Sequence, residues 1–117
     1  MTVESDIYTA LSSLTAVRLY PDVGPEDVVL PYMTYQQVGG DPVNFLSGNP
    51  SKRNGRFQVN AWARTRAGAM TLIRAAEDLM RSTTTLNATT LGGAQCLFEP
   101  DTKLYGAIQD FSVWFDA

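Results

Sequence analysis

Between Arg56 and Arg81 the hydrophobic period changes once, from two residues to about 3.6, and the change falls within a few residues. In "RFQVNAWAR", Phe57, Val59, Ala61 and Ala63 alternate with Gln58, Asn60, Trp62 and Arg64, the pattern of a strand with one buried face. Thr65 is then placed to cap a helix over Arg66–Arg81, with Ala69, Leu72, Ile73, Ala76, Leu79 and Met80 on one stripe and Gly68 in the first turn. Neither apolar surface is stable alone in water, so strand face and helix stripe must cover each other.

The remaining segments extend the same two layers. Ile7, Ala10, Leu11 and Leu14 recur at helical spacing in a short helix over Glu4–Leu14. Prolines at 21, 25 and 31 forbid a long helix after it, leaving short strands at Val17–Tyr20 and Pro31–Val38. The C-terminal third reads as a hairpin, Ala94–Glu99 and Leu104–Phe115, turning at "PDTK". In its second strand Gln109, Phe111, Val113 and Phe115 share one face, with Ile108, Asp110, Ser112 and Trp114 on the other. The expected fold class is α+β: a two-layer sandwich, a mainly antiparallel sheet with two helices packed on one face. At 117 residues the chain is expected to form a single domain, 1–117, with a core large enough to stand without metal or disulfide.

The chain contains no histidine, which removes the histidine general base, the Ser-His-Asp and Cys-His arrangements, and nearly all zinc sites. Its one cysteine, Cys96, lies in the apolar run "AQCLFE" and reads as a small buried hydrophobe. The carboxylate pairs Glu26/Asp27, Glu77/Asp78 and Glu99/Asp101 are sequence neighbours of the kind that lie in water, without the unequal environments that acid/base catalysis needs. "GNPSKRNG" lacks the Gly-Lys-Ser/Thr ending and the following helix of a phosphate cradle. No catalytic residue, cofactor or metal is therefore expected. A net charge of −3 argues against stable nucleic-acid binding, and no basic leader or long apolar run predicts export or a membrane span. A soluble protein is expected.

Two features remain unexplained by folding alone. A connection from Gly39 to Gly55 is far longer than a hairpin needs, and it carries Phe45 and Leu46 followed by Lys52, Arg53 and Arg56. Phe45 and Leu46 either cap the domain's own core or bind a partner. Trp62 and Trp114 both fall on strand faces opposite Phe57 and Phe111, the faces the helices leave uncovered, as at a protein interface or as two scattered aromatics. Both features point to assembly.

The stretch "VRLYPDVGPEDVVLPYMTYQQVGGDPV" resembles the tail completion, or tail terminator, family of long-tailed bacteriophages. "RFQVNAWARTRAGAMTLIRAAEDLM" and "EPDTKLYGAIQDFSVWFD" resemble that family's strand-helix unit and closing hairpin, in order and spacing. The resemblance implies a fold similar to the lambda-type tail terminator, with a mixed sheet flanked by helices. It also implies a homo-oligomeric ring, usually hexameric, at the head-proximal end of the tail tube. Such a ring stops tube growth and docks the head connector, with the tail tube protein and neck proteins as partners. DNA is only a transient passenger through the lumen. The implied location is the virion, with assembly in the host cytoplasm. "NFLSGNPSKR" matches no family motif. In the ring that the resemblance implies, a long arm could reach the adjacent subunit or line the lumen, with Phe45 and Leu46 as anchors and Lys52, Arg53 and Arg56 facing acidic neighbours or passing DNA. Another small neck protein, a monomeric binding module, and an enzyme using carboxylates or a hydroxyl are the alternatives.

Overall fold

The computed structural model describes residues 2–12, 14, 18–24, 29–40, 52–84 and 86–116. The element order is α1 (Val3–Leu11), β1 (Arg18–Pro21), β2 (Tyr32–Gly39), β3 (Lys52–Ala63), α2 (Arg66–Ser82), β4 (Thr89–Glu99) and β5 (Leu104–Asp116). One five-stranded sheet runs β1-β2-β3-β5-β4. β1 and β2 pair in parallel, and every other neighbouring pair is antiparallel. The fold is the expected α+β sandwich.

Alternation decides which face is covered. Phe57, Val59 and Ala61 of β3 and Ala107, Phe111 and Val113 of β5 are fully buried. They form one core with Ile7 and Leu11 of α1 and Ala69, Ile73, Ala76 and Met80 of α2. Both helices thus bury their stripes on the odd-numbered face of β3 and β5. Each helix begins at a threonine whose hydroxyl accepts a backbone N–H from the first turn: Thr2 from Ser5 at 3.1 Å, Thr65 from Gly68 at 3.0 Å. Removing one cap leaves an orphan donor. Thr65→Ala is therefore expected to lower stability by about 1 kcal/mol, read as a lower urea midpoint with unchanged slope.

Three departures from the sequence reading stand out. First, β3 starts at Lys52 rather than Arg56, because its partner β5 continues to Asp116 and pairs with it over Lys52–Gly55. The expected loop at 39–55 is shortened at both ends: Gly39 is in β2, and Lys52, Arg53 and Arg56 lie on a strand. Gly55 suits this strand because a β-carbon there would sit 2.7 Å from Phe57 Cε2 and 3.1 Å from Phe115 Cε1. Second, β4 begins at Thr89, five residues before the expected Ala94, and its register with β5 breaks between Leu91 and Gln95. Buried Gln109 fills that bulge, its amide donating to the Gly92 carbonyl at 3.0 Å. Third, Leu86 is completely buried in the α2–β4 connection, and its carbonyl accepts the Trp114 N–H at 3.2 Å. A lone leucine in a connection shows no period by which to find it.

Candidate functional site

The even-numbered residues of β3 and β5 form a sheet face that neither helix covers. β3 contributes Asn54, Arg56, Gln58, Asn60 and Trp62, and β5 contributes Gly106, Ile108, Asp110, Ser112 and Trp114. Its two ends differ in chemistry.

At one end the surface is aromatic. The Trp62 ring stacks on Tyr32 with centroids 6.5 Å apart and planes at 24°, and Tyr32 meets Tyr20 edge-on at 6.3 Å. Trp62 also lies across Gly106, where a β-carbon would fall 2.7 Å from its Cζ3. Much of the indole surface is thus spent inside the subunit. Partial burial, with the Glu99 carboxylate adding to it, pushes the Tyr32 phenol above the ordinary tyrosine range. Tyr32 stays neutral at any physiological pH.

The other end carries polar pairs beside the β2–β3 connection. Arg56 donates from Nε and Nη2 to Asp110 Oδ2, at 2.9 and 2.6 Å, and Asn54 donates to the Ser112 hydroxyl at 2.7 Å. The Arg56 side chain remains about half exposed while that of Asp110 is largely covered. An ion pair this open to water contributes little stability. Its effect is to orient the guanidinium. Trp114, exposed at 39%, sits opposite Asn54 in the same corner.

The sequence-expected residues are thus only partly gathered. Arg56 and Trp114 share this corner. Lys52 is at the adjoining strand end, with its side chain outside the described residues, and Phe45 and Leu46 lie outside them altogether. Arg53 is exposed but, being odd-numbered in β3, projects on the helix side of the sheet, so the three cations do not form one patch. Trp62 stands opposite Gly106, eight residues along β5 from Trp114, so the tryptophans are roughly 26 Å apart. Sequence reasoning missed Asp110 as the partner of Arg56, because pairing across strands depends on a register that no local pattern encodes. Cys96 is half-buried, and its sulfur accepts the Arg66 Nε–H at 3.4 Å.

A second feature was not expected from sequence. Where β3 enters α2, a cleft of about 540 Å³ opens between Leu30–Pro31 and the first half of the helix. Its lining is mostly apolar and small: Leu30, Pro31, Ala63, Gly68, Leu72 and Ala75, with Arg64 and Thr71 as polar members. Among the described residues, no three potential metal ligands cluster, and no helix is long and apolar enough to cross a membrane.

The architecture has counterparts among solved structures. A chain of the virion of a native gene transfer agent particle superposes with a TM-score of 0.63 at 13% identity, covering 97% of this chain and 94% of that one. The bacteriophage SPP1 gp17 protein superposes at 0.57 with 17% identity, covering 95% and 86%. At such identities these likenesses establish the fold. No curated protein sequence matches the chain. The family model for the tail completion protein gp17 matches residues 6–116, from the first turns of α1 to the last residue of β5. The chain belongs to the tail completion protein gp17 family.

Proposed function

We propose that this chain is a structural virion protein, a tail completion subunit that assembles as a homo-oligomeric ring of six copies at the head-proximal end of a long phage tail. The ring ends tube growth and gives the head connector its docking surface, while DNA passes through its lumen without stable binding. The observation that carries this reading is the family match across nearly the whole chain. The sheet face left free by the helices, with its polar corner of Arg56, Asp110 and Trp114, supports it as surface available to other virion proteins. A net charge of −3 fits a lumen through which DNA passes without being held. In this reading the protein performs no catalysis.

Complementation tests the proposal. Adding the purified protein to a phage lysate lacking it is expected to yield tails of uniform length joined to heads, seen by negative-stain microscopy, with a rise in infectious particles. If tails in the deficient lysate are already uniform and joined to heads, the terminator role is wrong.

A further inference from the structure

We propose that the cleft between Leu30–Pro31 and α2 is the receptor for the β2–β3 arm of a second copy of this chain, with Phe45 and Leu46 as the side chains that enter it. The inference rests on the ring reading and specifies the contact that would close the ring.

Three observations converge. The cleft is apolar, lined by small side chains on the helix side, and at about 540 Å³ is of a size for one or two large side chains. The segment 41–51, "DPVNFLSGNPS", contains one aromatic residue, and it adjoins a leucine among residues that, Val43 apart, favour turns and solvent. Reach then limits how far the arm can enter its own cleft. Gly40 packs directly on Asn54, which fixes the root of the arm. From Asn54 to Ala63 in the cleft wall is nine residues of strand, roughly 30 Å. Leu46 is six residues from Gly40, so even a fully extended chain carries it no more than about 20 Å. The arm falls short of the strand wall of its own cleft. The root of the arm and the strand wall of the cleft lie at opposite ends of β3, and a contact between them in two copies joins unlike surfaces. A repeated head-to-tail contact of this kind generates a ring when its rotation closes.

Cysteine pairing tests the contact in the full chain, with Cys96→Ala removing the native thiol. A chain carrying Phe45→Cys is mixed with one carrying Ala67→Cys, an exposed position on the cleft wall, both at high concentration and on isolated tail tubes. Mild oxidation with diamide is expected to give a disulfide-linked dimer at least tenfold above that formed by either chain alone. Both substitutions in one chain should give a ladder ending at the closed ring. Ala67→Arg, which places a charge in the cleft without touching the core, is expected to lower ring yield at least tenfold with an unchanged circular dichroism spectrum. Rings of native mass that form without this cross-link overturn the arm-to-cleft contact and leave the ring reading intact. A cross-link from position 67 to a tube or connector protein, or one confined within a single dilute subunit, overturns the arm of a second copy as the occupant. Absence of any oligomer, on tubes as well as in solution, overturns the ring reading and this contact together.

Discussion

Phe57→Ala is expected to lower the free energy of unfolding by about 3–5 kcal/mol, the largest effect of any single side-chain truncation considered for this chain. Phe57 is completely buried and stands opposite Phe111, which is equally buried, at the centre of the ladder between the two longest strands. Removing its ring forfeits the transfer energy of the phenyl group. It also opens a space that strands paired on both sides cannot collapse to fill. Domains of this kind are stable by only about 5–15 kcal/mol, so the loss is a large fraction of the total. Urea unfolding followed by circular dichroism checks it: the midpoint should fall sharply with the slope unchanged. Phe111→Ala should cost a similar amount. The double variant should cost less than the sum, because the two residues are register partners lining one space. A Phe57→Ala chain as stable as the parent would mean that the core does not sit between this ladder and the helices.

The second large effect is expected at Gly106, on the opposite face. A β-carbon at this position would lie 2.7 Å from Trp62 Cζ3 and 3.0 Å from Cε3, so Gly106→Val must displace the indole and break its stack on Tyr32. Valine suits a strand, so backbone preference favours the variant and the expected loss of about 1–3 kcal/mol is due to displaced packing. Tryptophan emission should shift to the red as Trp62 gains water. Gly93→Ala is the comparison: nothing lies within 4 Å of its would-be β-carbon, and its stability should stay within about 0.5 kcal/mol of the parent. Equal stability of the Gly106→Val chain and the parent would show that Trp62 does not rest on the strand.

The Trp62 result illustrates how far a one-dimensional pattern reaches. Alternation correctly placed Trp62 on the face opposite Phe57, and that much was legible in "RFQVNAWAR". What the indole does there depended on Gly106, forty-four residues away in sequence, and on Tyr32 from another strand. The same holds for Arg56. Its polar face was legible, whereas its partner Asp110 followed from register. The helix stripe of α2 was read almost residue for residue, because a period of 3.6 is a local property and Thr65 marks its start. The start of β3 was not, because Asn54 and Gly55 look like loop residues until β5 pairs with them.

The periods of β3 and α2, the cap at Thr65 and the prolines thus established the α+β class and the covered face, and the missing histidines excluded histidine-based chemistry. Each depends on residues close together in the chain. Register, reach and enclosure are relations between distant segments, and they emerged with the folded molecule. The pairing of Arg56 with Asp110, the shelter of Trp62 on Gly106 and the burial of Leu86 are of this kind. So is the apolar cleft at Leu30–Pro31, which exists because three segments meet at the end of one strand. The physical reason is the same throughout: side-chain periodicity is imposed by backbone geometry within a few residues, while the neighbour across a sheet is selected by the packing of the whole core.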